Sequence, residues 1–318
     1  MPGRAAPPGG ARSGLTYDVR IHEVQDRRRR WGARACAALV VGALALLAGC
    51  SEPEAVDPEV TVSGDAGQAP TLTYVTPLVV DETYRETIWP GTGPEVSDGE
   101  PVLIDYWLED ADDASLVQES FTTSPTSQIL TREDLGPELY TTIVGQRVGA
   151  RLLQVAPGEG AGSYPTVTVI DVLPTVADGD AVEPREDLPK VTQSGAGAPK
   201  ISTPKGDAPV DLVAQPVLRG TGRQVGPDDT VTVQYTGWAW TTGEEFDSTW
   251  AKGLPLSFSL QDVPAWSEGL TDQTVGSRVL LVVPPTYALG VTQSAALEGE
   301  TVVFVVDVLD SRAPQGAS

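Results

Sequence analysis

Few side chains in this 318-residue chain could do covalent or acid–base chemistry inside a folded domain. The single histidine, His22, precedes an apolar segment, which excludes a histidine-based triad or metal site from everything downstream. Both cysteines, Cys36 and Cys50, lie near the N-terminus, a placement that suits neither a disulfide core nor a zinc site. No metal and no cofactor are expected. Charge narrows the partners further. Lys and Arg number 21 against 44 Asp and Glu, and residues 1–49 hold eight of the arginines and three of the acids. The remainder therefore carries 13 basic and 41 acidic side chains, a net of −28. Such a surface repels polyphosphates and argues against nucleic-acid binding, while keeping a protein soluble.

The segments that carry these groups begin with a basic region, Arg27 to Arg34, and an apolar run of 14 residues, Ala35 to Ala48. That run is shorter than the ~20 residues a bilayer requires but suits the core of a signal peptide. It ends in Leu47-Ala48-Gly49-Cys50, followed by Ser51. The pattern resembles the bacterial lipoprotein box, in which small side chains fit the peptidase and the cysteine thiol takes the lipid. A signal peptide over 1–49 and a lipid anchor at Cys50 are expected, placing the chain outside the cytoplasmic membrane. The polar stretch before Arg27 is long for such a signal, so the start is expected downstream, at Val24. Residues 50–71, rich in Pro, Gly, Glu and Asp without apolar periodicity, read as a disordered tether.

Beyond the tether the sequence repeats itself. Gly91-Thr92-Gly93, Val96, Val102, Ile104 and Tyr106 match Gly220-Thr221-Gly222, Val225, Val231, Val233 and Tyr235 at a constant offset of 129. Val148-Gly149-Ala150-Arg151 matches Val275-Gly276-Ser277-Arg278 at offset 127, and Asp171-Val172-Leu173 matches Asp307-Val308-Leu309 at 136. The second copy thus carries nine more residues between Arg278 and Asp307, around Pro284 to Gly290. The copies are expected at 72–177 and 205–311, with a Pro/Gly-rich linker at 178–204 and a tail at 312–318. Val231 to Tyr235 and Leu254 to Leu260 alternate as half-buried strands, and Val279 to Val283 and Val302 to Leu309 are apolar enough for central ones. One short helix is predicted between Pro264 and Thr274, with Trp266 and Leu270 facing inward. The fold class is α+β, with each copy an antiparallel sheet wrapped over one short helix.

Within the second copy stand, in order, Val233-Gln234-Tyr235-Thr236-Gly237, Gly243-Glu244-Glu245-Phe246-Asp247-Ser248-Thr249 and Leu256-Ser257-Phe258. Trp266-Ser267-Glu268-Gly269-Leu270, Val275-Gly276, Val283-Pro284-Pro285, Tyr287-Ala288-Leu289-Gly290 and Val303-Phe304 follow. The order and spacing resemble the FKBP-type (immunophilin) peptidyl-prolyl cis-trans isomerases. That resemblance implies two tandem FKBP-like domains. In the second it implies a proline pocket lined by Tyr235, Phe246, Leu256, Val263, Trp266 and Phe304, with Trp266 as its floor. Asp247 would be held by the Tyr235 hydroxyl, the Val263 N–H would grip a carbonyl of the peptide, and Tyr287 and Leu289 would also contact it. The implied partners are proline-containing exported polypeptides and macrolide immunophilin ligands. The implied function is isomerisation of prolyl bonds during folding of exported proteins; the alternative is a client-binding lipoprotein chaperone or scaffold with little catalysis.

The sequence departs from the family pattern at Leu289, where an aromatic is usual, at Leu256, where phenylalanine is frequent, and over Gln261 to Pro264. These changes bear on catalytic efficiency and macrolide affinity more than on fold. In the first copy Tyr106 and Phe121 read as retained, Thr122 as the counterpart of Asp247 and Leu139 as that of the floor tryptophan. With the nine-residue flap missing as well, this copy is expected to be inactive.

Overall fold

The computed structural model describes residues 57–158, 163–193, 197–287 and 297–314. The signal peptide, Cys50 and Leu289 lie outside the described residues. The first repeat opens with the hairpin β1 (Thr61–Ser63) and β2 (Thr71–Thr73). It continues through β3 (Tyr84–Trp89), β4 (Pro101–Asp110), β5 (Ser115–Glu119), β6 (Thr126–Ile129), helix α1 (Arg132–Ile143), β7 (Arg151–Ala156) and β8 (Thr166–Leu173). Its antiparallel sheet runs β3-β7-β8-β4-β5, with β6 also paired to β4. The second repeat comprises β9 (Asp180–Ala181), the hairpin β10 (Val191–Thr192) and β11 (Lys200–Ile201), β12 (Val213–Arg219), β13 (Thr230–Ala239), β14 (Glu245–Ser248) and α2 (Thr249–Lys252). β15 (Leu256–Ser259), a 3-10 turn (Leu260–Asp262), α3 (Pro264–Leu270), β16 (Arg278–Val283) and β17 (Val302–Arg312) complete it. The order β12-β16-β17-β13-β14 repeats that of the first sheet, and β15 pairs with β13 as β6 does with β4.

The predicted α+β architecture is present, with more helix than the one segment expected. α3 does bury Trp266 and Leu270, whereas α2 and the 3-10 turn are additions too short to leave an apolar period in the sequence. Nine residues join β7 to β8 and eighteen join β16 to β17, so the extra nine fall where the offsets place them. The repeated Gly-Thr-Gly has a steric cause. A Cβ on Gly91 would lie 2.3 Å from the Val148 carbonyl oxygen, and one on Gly220 would lie 2.1 Å from that of Val275.

The segments read as tether and linker are corrected here. From residue 57 the expected tether is built into the first repeat: Val60, Val62 and Leu72 pack against Leu153, Val155 and Val169. The hairpin turn is also held by Arg151, whose guanidinium donates to the carbonyls of Gly64, Asp65 and Gln68. Residues in the expected linker do the same for the second repeat. Leu188, Val191 and Ile201 cover Trp238, Leu280, Val282, Val303 and Val305 on the outer sheet face, and Arg278 donates to the Gln193 side chain. Val62↔Leu72 and Val191↔Ile201 are equivalent pairs at the same offset of 129. Each hairpin therefore belongs to its repeat, held by distant sheet residues that local sequence does not display.

Arg312, placed in the tail by sequence, is the last residue of β17 and joins the repeats. It donates to Asp105 Oδ2 at 2.5 Å and to the Phe121 carbonyl at 2.8 Å, both in the first repeat, and to Asp310 at 2.8 Å. Burial pushes the Asp105 and Asp310 carboxyls above their ordinary range, with Arg312 opposing the shift.

A chain begun at Lys205 strips the outer face of the second sheet, whereas one begun at Asp178 keeps it. Uncovering several apolar side chains, each worth ~1.5–3 kcal/mol when buried, should lower the Tm of the shorter chain by at least ~10 °C. Thermal unfolding of the two truncations by circular dichroism would measure the difference.

Candidate functional site

On β13 the residues Val231, Val233 and Tyr235 alternate onto the inner face, and α3 packs Trp266 beneath them. The Tyr235 and Trp266 rings meet edge to face, with centroids 5.0 Å apart and planes at 87°. Phe304, on β17, lies 5.2 Å from Trp266 and 6.0 Å from Tyr235, and Phe246 stands 5.6 Å from Phe304. Edge-to-face packing sets the positive edge of one ring on the negative face of the next, which fixes ring orientation. Gly237 makes room for this cluster: a Cβ there would lie 2.7 Å from Phe246 Cζ and 2.8 Å from Phe304 Cε1.

α2 is tied to β13 through Thr249, which accepts from the Tyr235 backbone N–H (2.8 Å) and donates to Gln234 Oε1 (2.6 Å). This fixes Asp247 beside the ring cluster. Its Oδ2 accepts from the Tyr235 hydroxyl at 2.7 Å, and its Oδ1 pairs with Lys252 Nζ at 2.5 Å. Burial pushes the Asp247 carboxyl up, but hydrogen bonds from Lys252 and Tyr235 outweigh that and hold it below its ordinary range. Burial, with the hydrogen bond to Asp247, raises the Tyr235 phenol. At neutral pH the pair is thus a carboxylate accepting from a protonated phenol.

Of the residues singled out from sequence, Tyr235, Phe246, Asp247, Trp266 and Phe304 come together. Leu256 faces the same way, opposite Val233, but is 39% exposed where Trp266 is 2% exposed. Val263 is buried at the start of α3, and its N–H donates to the Leu260 carbonyl at 3.2 Å, closing the 3-10 turn. Gripping a peptide would require that N–H to share or release this bond. Tyr287 donates its hydroxyl to Glu268 at 2.9 Å. Two further neighbours join the pocket that were not among the residues expected to line it. Phe258 contacts Trp266 edge to face at 5.3 Å, and its signal was alternation with Leu256. Lys252 is the last residue of α2, five residues past Asp247, a pairing visible only once α2 is known to form.

Strand register revises the comparison of the two copies. Trp107 pairs with Glu119 and Leu108 with Gln118, while Thr236 pairs with Ser248 and Gly237 with Asp247. Hydrogen bonding agrees: Tyr106 N–H donates to Ser120 as Tyr235 N–H donates to Thr249. Gln118, not Thr122, therefore stands in place of Asp247, and Val117, not Phe121, in place of Phe246. Both repeats carry the same irregularity, between Leu108 and Glu109 and between Gly237 and Trp238, so the offset of 129 continues through this strand. Phe121 is instead buried near Arg151. Pairing of Gln154 with Thr168 and of Leu281 with Phe304 sets Thr168 in the place of Phe304. Gln128 likewise replaces Phe258.

The model of the family described as FKBP-type peptidyl-prolyl cis-trans isomerase matches residues 221–309. A probable FK506-binding protein of Corynebacterium glutamicum is 40% identical over 115 residues, which are 36% of this chain and 98% of that protein. This chain belongs to the FKBP-type peptidyl-prolyl cis-trans isomerase family. An FK506-binding protein of Streptomyces anulatus is 36% identical over 117 residues, 35% of this chain and 94% of its own. The isomerase FkpA of Escherichia coli is 41% identical over 104 residues, 31% of this chain and 37% of that one.

The Asp247 shift fixes the sign of a pH dependence. A carboxyl held below its ordinary pKa of 3.8 stabilises the fold fully above that pH and progressively less as pH falls through the folded value. The Tm gap between wild type and Asp247→Asn should therefore be widest near neutral pH and narrow below about pH 4. Thermal melts of both proteins from pH 7 to pH 2.5 would check it, and a constant gap would contradict the assignment.

Proposed function

We propose that the second repeat carries the isomerase activity and that its ring cluster is the proline pocket. The observation that supports this most is the meeting of Tyr235, Phe246, Phe258 and Phe304 around Trp266, with Asp247 fixed at the edge. An X–Pro amide resists rotation by ~18–20 kcal/mol because resonance gives its C–N bond double-bond character. Twisting the bond removes the charge separation of the planar amide. A pocket that seats the pyrrolidine ring on an indole and excludes water therefore favours the twisted state over the planar one. Asp247, anchored by Tyr235 and Lys252, keeps a fixed negative charge beside the rotating bond without transferring a proton.

The client would be proline-containing polypeptides folding after export, with the chain held outside the cytoplasmic membrane by a lipid on Cys50. Slow prolyl exchange limits the folding of many chains, and exported proteins must fold outside the cytoplasm. A second reading, a client-holding scaffold, is favoured by one observation: the first repeat has its pocket position but none of the second's rings apart from Tyr106.

In a protease-coupled prolyl tetrapeptide assay on the full chain, Phe246→Ala should lower kcat/KM by roughly 10- to 100-fold, the equivalent of losing the contact of one phenyl ring. Leu139→Ala, in the first repeat, should leave it unchanged. Equal activity of wild type and Phe246→Ala would reject the assignment to this pocket. Cys50→Ala should abolish labelling by a fatty-acid analogue and move the protein from the membrane to the soluble fraction.

A further inference from the structure

The first repeat keeps an open cavity of about 320 Å³ where the second has its ring cluster. Ile104, Tyr106, Leu139 and Ile170 line its apolar side. Beside them on the same sheet face stand Thr126, Gln128, Gln154 and Thr168, which by register replace Leu256, Phe258, Leu281 and Phe304. Four apolar positions have thus become hydroxyls and carboxamides. Leu108, where the other repeat has Gly237, also fills the space that admits two phenyl rings there.

Gln154 in this polar lining is held in place. The Gln154 Oε1 accepts from Thr142 at 2.5 Å, and the Thr142 hydroxyl accepts from Arg85 Nε at 3.0 Å. The one charged lining residue, Asp134, accepts from the Thr131 hydroxyl at 2.7 Å where Thr131 caps α1. Amides and hydroxyls in a concave site reward a guest that hydrogen-bonds to them and penalise one that leaves them unpaired. A prolyl ring offers no donor and matches the site poorly. Neutral polar side chains match it.

We propose that this cavity binds polypeptide through an uncharged hydrogen-bonding side chain, Asn, Gln, Ser or Thr, and serves as a second, proline-independent holding site for unfolded chains. Its position supports a peptide guest, since it is the place a peptide would enter in the other repeat; to that extent the inference rests on the function proposed above. Arg312 ties the two repeats together, so a chain held in one pocket raises its own effective concentration at the other.

The test uses the full chain and two labelled unfolded peptides without proline, one rich in Asn and Gln, the other with those residues changed to Ala, read by fluorescence anisotropy. The first should bind, the second at least about fivefold more weakly. Leu139→Trp, which fills the cavity, and Gln128→Leu, at a half-buried position that tolerates the change, should each weaken the first peptide by a similar factor. Turnover of a prolyl tetrapeptide should not change in either variant. Equal binding of the two peptides, no measurable binding, or no effect of both substitutions would overturn the proposal. Absence of tetrapeptide turnover in the wild type would count against the isomerase pocket alone, because the binding comparison needs no catalysis.

Discussion

A guanidinium removed from water is costly unless its N–H groups find acceptors and a carboxylate answers its charge. Each repeat is organised around one such group. Arg151 forks onto Asp171 at 2.5 and 2.6 Å, and Arg278 onto Asp307 at the same two distances, all four side chains nearly or wholly buried. The carboxylate takes two donors, and those left over reach outward to the hairpin carbonyls around Gly64 to Gln68 in one repeat and to Gln193 in the other. The pair therefore registers β7 against β8 and β16 against β17 while fastening the segment that precedes each sheet. Removing either partner leaves an unpaired buried charge, so the arrangement is retained as a unit.

On this common frame two different interiors have been built. Gly237 makes room for Phe246 and Phe304, and they in turn enclose Trp266 with Tyr235. With Leu108 at the equivalent place the rings would not fit, and their positions hold Val117 and Thr168. Close packing makes such changes go together, because one added side chain at the centre displaces several neighbours. What remains in the first repeat is a cavity with a hydrogen-bonding wall.

The repeats are also joined. Asp105 is the first-repeat counterpart of Gln234: it accepts from Ser120 at 2.8 Å, as Gln234 accepts from Thr249. The carboxylate gains a further acceptor site, and Arg312 occupies it from the end of β17. A carboxylate buried without this cation would be costly, so the first repeat has come to depend on the second for the pairing of its own interior.

Much of this was legible in residue order. The offsets of 129, 127 and 136 located two copies and the nine-residue insertion, and the resemblance to the FKBP motifs singled out Tyr235, Phe246, Asp247, Trp266 and Phe304, because those motifs stand in fixed order along the chain. Other features depended on contacts distant in sequence. Residues 57–73, 188–193 and 197–201 lack a strong apolar period, and their order comes from Arg151, Arg278 and the far sheet face. Lys252 reaches Asp247 only through a four-residue helix too short for a periodic signal. The mismatch at Phe121 and Thr122 arose because residue type, a phenylalanine for a phenylalanine, points four residues away from the offset of 129 that the strand pairing keeps. The sequence by itself thus determined the family, the repeat and the aromatic set, all written as fixed spacings along one chain. Tertiary structure decided the hairpins, the joining of the repeats and the chemistry of the first pocket, since each depends on side chains brought together from strands far apart in sequence.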